Sequence, residues 1–145
     1  MAVHKRAMGF DYGTRQIGVA VGQSLTCKAE PIAVLRARDG VPDWDHVGRL
    51  ITEWKPDTLV VGLPLNMDGS PSDMSGRAEK FARRLHGRFN LPVDSVDERL
   101  STFEAKQSLR DSGRAPASYR DNPVDGLAAA LLLETWLSNL PKEIS

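Results

Sequence analysis

The segment MGFDYGTRQIGVAVG, Met8 to Gly22, holds two apolar runs separated by the polar turn DYGT. The second run alternates strictly: Ile17, Val19 and Val21 have large side chains, and the residues that alternate with them are glycine or alanine. This alternation is typical of a β-strand. One face of that strand is nearly bare of side chains, so a helix or a ligand could approach it closely. Asp11 closes the first run, either as a turn former or as a carboxylate held at a strand end for chemistry.

A third apolar run, Pro31–Leu35, follows without an intervening helix, which favours an antiparallel meander of three strands. The pattern then changes to helical spacing over Trp44–Trp54, with Asp43 or Asp45 near the helix start and Pro56 beyond its end. The chain therefore changes from strands alone to helices and strands after about its first third.

The second half alternates. The buried run Thr58–Leu63 predicts a strand, and Ser70 is predicted to cap a helix with Pro71 at its first position, ending near Gly87. Further elements are predicted as a strand at 93–96, a helix at about 102–111 and a last helix opened by Asn122-Pro123. This order predicts an α/β fold: a mixed five-stranded sheet, three antiparallel strands and then alternating helix and strand, flanked by helices.

Length and composition limit the possibilities further. Patterning runs nearly end to end over 145 residues, so we expect a single domain spanning residues 1–145. Nineteen basic and nineteen acidic residues cancel, which argues against a tail-like polyanion binder but allows a basic face beside an acidic pocket. A single cysteine suits a reducing compartment, and no apolar run reaches the length of a membrane span, so we expect a cytoplasmic protein without a membrane partner.

Three carboxylates occupy unusual positions. Asp11 ends the first strand, Glu98 follows the last predicted strand, and Asp125 lies in the first turn of an apolar helix, on the stripe of its core residues. Each has a plainer explanation. Asp11 is suited to a turn, Asp125 to the helix dipole, and Glu98 to a surface run of charges.

Taken together, the three acids favour a metal site. If the ends of the first and fourth strands are neighbours, a helix crossing them brings Asp125 alongside. A pair of carboxylates 4 Å apart repels by about 4 kcal/mol at an effective dielectric near 20. Divalent cations remove that penalty, and hard oxygen ligands suit Mg²⁺ or Mn²⁺. Two such ions activate a water and stabilise the leaving oxygen in phosphodiester cleavage.

Four segments together resemble the YqgF/RuvX family: GFDYGTRQIGVAVG, VVGLPLNMDGS, DERLST and VDGLAAALLLE. They occur in order from about Met8 to Leu137. The resemblance implies a ribonuclease H-like fold and a metal-dependent nuclease, either one that processes the 5′ end of precursor 16S rRNA or a Holliday junction resolvase. It places the family's acidic positions on Asp11, Glu98 and Asp125. Resolvases of the RuvC type carry a fourth acid near the last one, and Asp121, before Pro123, is a poor match to it.

Basic residues supply candidate contacts to nucleic acid. Arg77, Lys80, Arg84 and Arg88 form one stripe on the second predicted helix, which is either a solvated face or a surface for phosphates beside the metals. Arg15 and Arg99 flank two of the acids and would hold a phosphate or balance a carboxylate. The loop GLPLNMDGSPSD suits either close backbone approach to an anion at the helix start or a plain connection.

Two other functional classes fit parts of the sequence. DYGT also resembles the phosphate turn of actin-like ATPases, but those proteins duplicate the fold around a cleft that 145 residues cannot build. The fold could also serve as a non-catalytic nucleic-acid-binding module, although a polyanion binder gains nothing from three clustered acids. The expected partner is precursor rRNA or branched DNA, and the expected state is a monomer or a homodimer, since a junction offers two equivalent cuts.

Overall fold

One mixed sheet organises the protein. The computed structural model describes the backbone of residues 5–98 and 123–139, and the side chains of residues 5–98 and 126–139. The strands are β1 (Arg6–Asp11), β2 (Gln16–Gln23), β3 (Lys28–Arg38), β4 (Val41–Pro42), β5 (Thr58–Leu63) and β6 (Val93–Asp97). The helices within these ranges are α1 (Trp44–Trp54), α2 (Asp73–Phe89) and α3 (Pro123–Ser138).

The strand order is β4-β3-β2-β1-β5-β6. Strands β1, β2 and β3 form the expected antiparallel meander, and β1 then pairs in parallel with β5, as β5 does with β6. The parallel pairing brings the carboxyl ends of β1, β5 and β6 to the same edge of the sheet. This confirms that the ends of the first and fourth predicted strands are neighbours.

The sheet differs from the prediction at its outer edge. The described residues form six strands rather than five, because β3 extends well beyond Pro31–Leu35 and turns back into the two-residue β4. Asp39 and Gly40 connect them with φ angles of 50° and 82°. Two consecutive positive φ angles are what a type I′ hairpin turn requires, and Asp-Gly is a preferred sequence for it.

Local capping sets the helix starts. Asp43 caps α1 by accepting a hydrogen bond from the Asp45 amide at 3.0 Å, which decides between the two predicted acids. The prediction that Ser70 caps the second helix is wrong. Ser72 caps α2 in a reciprocal capping box with Ser75, and the helix continues to Phe89 rather than ending near Gly87.

Two apolar cores lie on opposite faces of the sheet. On one face, α1 and α2 pack over Met8, Phe10 and their neighbours. On the other face, α3 packs over Ala7, Ala20 and Val60. Strand β1 therefore divides its side chains between the cores, since successive residues of a strand point to opposite faces.

Helix α3 lies close to the bare face of the meander, as its glycines predicted. A Cβ at Gly22 would lie 2.9 Å from Leu137 Cδ1, and one at Gly9 would lie 3.0 Å from Leu133 Cβ. The absence of side chains there lets the helix approach the strands. Because Gly22 pairs with Ala7, α3 runs from the level of Gly9 towards the amino end of β1.

The predicted helix at 102–111, its following loop and Arg99 lie outside the described residues. Within the ranges given above, no helix is both long and apolar enough to cross a membrane. The only cysteine, Cys27, is exposed.

Candidate active site

Asp11 lies at the carboxyl end of β1 and is half-buried. It is the last residue of the strand and pairs with Gly18 of β2. Strand alternation places Asp11 on the same face as Gly9, which is the face covered by α3. The residue is therefore both the end of a strand and an acid directed towards the α3 side of the sheet.

Glu98 follows β6 directly, and its side chain lies on the same face. Its carboxylate oxygen Oε1 is 2.7 Å, and its Cγ 3.0 Å, from the position that a Cβ of Gly62 would occupy. Leu132 Cδ2 of α3 lies 2.9 Å from that position. Real Cβ atoms almost never have contacts this short, so the glycine at position 62 makes the room that the Glu98 side chain occupies.

The strand register brings these two acids together. Phe10 of β1 is opposite Val61 of β5, so Asp11 and Gly62 are the next positions along their two strands. Neighbouring strands are about 4.8 Å apart. The carboxylate of Glu98 therefore lies above the strand next to Asp11, at the level of Asp11, on the α3 face.

The third predicted acid, Asp125, belongs to the first turn of α3, and its side chain lies outside the described part of the protein. The backbone carbonyl of Ala129, one turn later, lies 3.5 Å from the Cβ position of Gly9. Four residues of helix span about 6 Å. Residue 125 is thus displaced from Ala129 towards the carboxyl end of β1, the end that carries Asp11.

The donor chemistry of this edge fits a hard divalent cation. Asp11 and Glu98 supply carboxylate oxygens, are half-buried and share one face. Among the side chains of residues 5–98 and 126–139, no three acids, histidines or cysteines are grouped closely enough to hold a metal ion. The predicted group has its third member at residue 125, so it stays a prediction.

The basic stripe lies on the other side of the sheet. Helix α2 packs on the β1 face that holds Phe10, with Ala78 and Phe81 in that core. The Arg77 guanidinium donates from Nη2 to the carboxylate and to the backbone carbonyl of Asp39, at 2.8 and 3.0 Å. Arg77, one of the four predicted phosphate contacts on this helix, therefore already holds an anion, and it lines one pocket together with Lys80 and Arg84.

The contact between Arg77 and Asp39 changes the acidity of both groups. The hydrogen bond from Arg77, and then its charge, lower the pKa of Asp39 below the usual 3.8. The same contact raises the pKa of Arg77. Both groups are therefore ionised at neutral pH. The remaining predicted contacts differ in their status: Arg15 is exposed in the turn between β1 and β2, and Arg99 lies outside the described residues.

Two features were missed by sequence reasoning. Tyr12 packs against Phe81 with ring centroids 5.1 Å apart, and its hydroxyl lies where a Cβ of Gly40 would be. The role of Gly62 beside Glu98 was also missed. The Asp-Gly pair at 39–40 was a usable signal for the hairpin, but no local pattern links Gly40 to Tyr12 or Gly62 to Glu98.

The loop after β5 is a compact turn. The Asn66 amide donates to the Ser70 carbonyl at 3.0 Å, and the Asn66 side chain donates to the hydroxyl of Ser70 and the carbonyl of Pro71. Gly69 has a φ of 87°, the left-handed region that glycine adopts without strain. Ser70 therefore stabilises this turn, and Ser72 occupies the start of α2, where we had considered an anion site.

The known proteins that this chain resembles carry two kinds of name, Holliday junction resolvase and pre-16S rRNA nuclease. The family model described as "RuvX: Holliday junction resolvase" matches residues 5–139. A protein of Pseudomonas putida named "Putative pre-16S rRNA nuclease" is 64% identical over 137 residues, which cover 94% of this chain and 97% of that protein. A protein of the same name from Azotobacter vinelandii is 64% identical over 134 residues, 92% of this chain and 94% of that one.

Solved structures resemble the fold. RuvC of Thermus thermophilus, in complex with a Holliday junction substrate, aligns with a TM-score of 0.56 and 18% identity over 92% of this chain and 95% of that chain. The fowlpox virus Holliday junction resolvase aligns with a TM-score of 0.55 and 15% identity over 93% and 99%. At these identities the likeness concerns the fold.

Proposed function

This chain belongs to the RuvX family, and on that premise we propose that it is a metal-dependent nuclease that hydrolyses phosphodiester bonds of structured nucleic acid. The observation that carries the proposal is the position of the Glu98 carboxylate, above Gly62 on the strand beside Asp11. Because Gly62 has no side chain, the Glu98 carboxylate is held half-buried beside Asp11 instead of extending into solvent, as expected of a metal ligand.

Asp11 and Glu98, with Asp125 as the third member, are the proposed catalytic and metal-holding residues. Mg²⁺ or Mn²⁺, as two ions, would supply an activated water and charge stabilisation at the leaving oxygen. The protein's own contribution is to fix the carboxylates. Strand β1 positions Asp11 by its pairing with β2 and β5. The space left by the missing side chain of Gly62 accommodates the Glu98 side chain and so positions it.

Binding of the nucleic acid is assigned to the basic residues near this edge. Arg15 lies in the turn directly after β1, and Arg99 follows Glu98 in the sequence. Arg77, Lys80 and Arg84 extend the cationic surface onto α2. Cationic side chains that contact phosphates position a strand without reading its sequence, which suits an enzyme whose chemistry occurs at the backbone.

The first substrate we propose is precursor 16S rRNA, cut near its 5′ end during ribosome biogenesis in the cytoplasm. The names of the close relatives support this choice. The test is cleavage of a precursor transcript carrying the 5′ leader, with Mg²⁺ or Mn²⁺, by the wild type and by the Asp11→Asn and Asp125→Asn variants. Cleavage by the wild type alone supports the proposal, and equal cleavage by all three would identify a contaminant.

The second candidate is resolution of a four-way DNA junction, favoured by the description of the matching family model. The same three proteins should be incubated with a synthetic junction under the same conditions. Paired symmetric cuts by the wild type, together with a dimeric mass in solution, would favour this candidate, because the junction presents two equivalent strands.

A third possibility, binding without cleavage, is distinguished by measuring the affinity of the same proteins for both substrates beside their cleavage. A non-catalytic module would bind both substrates and cut neither, and its affinity would rise when Asp11 is replaced by Asn, since a negative charge is removed. A nuclease that uses Asp11 for its metal would instead bind with little change and lose cleavage.

A further inference from the structure

A pocket lies on the α2 face of the sheet, at the carboxyl end of β1 and on the opposite side of the sheet from Asp11 and Glu98. It encloses about 270 Å³ and is lined by aromatic, basic and turn residues. These are Tyr12, Asp39, Gly40, Val41, Arg77, Lys80, Phe81 and Arg84. We propose that this pocket binds a phosphodiester group of the nucleic-acid strand, with Lys80 and Arg84 as contacts. The phosphate would displace the carboxylate of Asp39 from Arg77. The choice of ligand rests on the proposed nuclease function.

The floor of the pocket is fixed by packing. Phe81 is buried, with Phe10 against it at a centroid distance of 5.7 Å and Tyr12 at 5.1 Å. Tyr12 also lies directly beneath Gly40, where a side chain would collide with its hydroxyl. The aromatic floor is therefore held between α2 and the hairpin turn, so the cations above it are presented by a rigid surface.

The charge of the pocket suits an anion. Arg77, Lys80 and Arg84 supply three positive charges, and Asp39 is the single carboxylate among the residues that line the pocket. The Arg77 guanidinium holds Asp39 Oδ1 at 2.8 Å, so an anionic oxygen already occupies the place that a phosphate oxygen would take. Lys80 and Arg84 make no ion pair within the described part of the chain.

The resident anion is easily replaced. The Asp39 side chain is 85% exposed and that of Arg77 is 42% exposed, so solvent screens their attraction. Both contacts of Arg77 to Asp39 come from one guanidinium nitrogen, Nη2. Arginine can bind a phosphate through two parallel N–H···O bonds instead. A phosphodiester that contacts Lys80 and Arg84 at the same time would therefore compete with the Asp39 carboxylate for Arg77.

The position of the pocket connects it to the proposed cleavage site. Tyr12 follows Asp11 directly, and consecutive Cα atoms are only 3.8 Å apart. Alternation directs Asp11 to the α3 face, whereas Tyr12 packs in the α2 core. A strand held at the carboxylates and passing over the end of β1 would reach this pocket next.

The first test compares two neighbouring arginines of α2. Both are exposed, but Arg84 lines the pocket and Arg83 does not. Fluorescence anisotropy with a labelled single-stranded RNA, in EDTA so that no cutting occurs, should show binding about fivefold weaker for Arg84→Gln and Lys80→Gln than for the wild type. The slope of log affinity against log salt should fall by about 0.7 for each. Arg83→Gln should stay close to the wild type. Equal losses for Arg83→Gln and Arg84→Gln would overturn the pocket.

The second test separates competition from a structural role. If Asp39 competes with phosphate, Asp39→Asn should tighten RNA binding about threefold, whereas Glu53→Gln, at the far end of α1, should change it little. If Asp39 only anchors the hairpin, its removal should weaken binding or leave it unchanged, and the displacement idea would be wrong. Thermal unfolding of each variant checks that the fold is retained.

A third arm identifies the source of the phosphate. A free mononucleotide that bound at micromolar concentration, in a manner dependent on Lys80, would indicate a nucleotide site and contradict the phosphodiester proposal. Cleavage assays separate the two levels of the account. Wild-type cleavage with Arg84→Gln behaving like Arg83→Gln would reject only the pocket. The predicted binding pattern without any wild-type cleavage would reject the nuclease and keep the pocket.

Discussion

The two faces of the sheet differ in the charge that they present at the same end of β1. On the α3 face, Asp11 and Glu98 offer carboxylates beside a glycine that makes room for one of them. On the α2 face, Tyr12 lies in a pocket bordered by Arg77 and two further cations. A single step along the strand, from residue 11 to residue 12, separates the two environments.

This difference explains how a chain without net charge can serve a polyanion. The nineteen acidic and nineteen basic residues cancel in total, but at the carboxyl edge of the sheet Asp11 and Glu98 lie on one face and the cluster of Arg77, Lys80 and Arg84 lies on the other. Metal ions would occupy the acidic face, and phosphates would contact the basic one. Local placement of charge, rather than its sum, sets the partner.

The largest expected effect is the loss of cleavage when Asp11 is replaced by Asn. A metal ion supplies several kcal/mol of charge stabilisation, so the rate should fall by more than about 100-fold while RNA affinity stays similar. Asp45→Asn, an exposed acid in the first turn of α1, is the matched control and should keep full activity. Cleavage rates of the two variants measure the difference, and a similar rate for both would remove Asp11 from the site.

The next effect concerns the seat of Glu98. Gly62→Ala would place a Cβ 2.7 Å from the Glu98 carboxylate and 2.9 Å from Leu132. We expect a loss of about 1–3 kcal/mol in the free energy of unfolding, as for other overpacked sites, and a rate about tenfold lower from displacement of the acid. Urea unfolding and cleavage rates measure both.

Gly76 provides the control for that change. A Cβ there meets nothing within 4 Å, and the residue lies inside α2. Gly76→Ala should stabilise the protein by about 0.5–1 kcal/mol and leave cleavage unchanged. If both alanine variants had the same stability, Gly62 would have no role in seating Glu98.

A smaller effect is expected on the opposite face. Gly40 has a φ of 82°, and a side chain there would meet the Tyr12 hydroxyl. Gly40→Ala should therefore cost about 1–2 kcal/mol of unfolding free energy and weaken RNA binding more than it slows cleavage at saturating substrate. Gly87→Ala, at an open position of α2, is the control. Loss of cleavage at saturation would mean that the two faces are not separable.

The smallest effect is a pH dependence of stability. Arg77 lowers the pKa of Asp39 below 3.8, so the pair stabilises the folded state above the unfolded pKa of about 4. This contribution is lost as the pH falls through the lower, folded pKa. Urea unfolding of the wild type and Asp39→Asn should differ slightly at pH 7 and converge near about pH 3. A gap that persisted in acid would have another cause.

Much of the fold could be predicted from local patterns. Alternation in Gln16–Gly22 predicted β2 and the bare face on which α3 lies, and the buried run Thr58–Leu63 matched β5 at both ends. The start of α2 was misplaced because two serines precede it, and only tertiary contacts choose between them. Ser72 donates to the Pro64 carbonyl, whereas Ser70 is engaged by Asp68.

The candidate site was predictable in part. The sequence indicated Asp11 and Glu98 because Asp11 ends a predicted strand and Glu98 follows one, and the register of β1, β5 and β6 brings them to one edge. It could not indicate that the basic stripe of α2 belongs to the opposite face, because that depends on which side of the sheet each helix crosses. The pairing of Arg77 with Asp39 joins residues 38 positions apart, a distance at which sequence patterns carry no signal.

The most direct test of the central claim is the binding of Mn²⁺ to the purified full chain, measured by electron paramagnetic resonance or calorimetry without nucleic acid. The wild type should bind the ion, and Asp11→Asn, Glu98→Gln and Asp125→Asn should each weaken that binding by at least about tenfold, whereas Asp45→Asn should not. Unchanged Mn²⁺ binding in all three site variants would contradict the claim that these acids form one metal site.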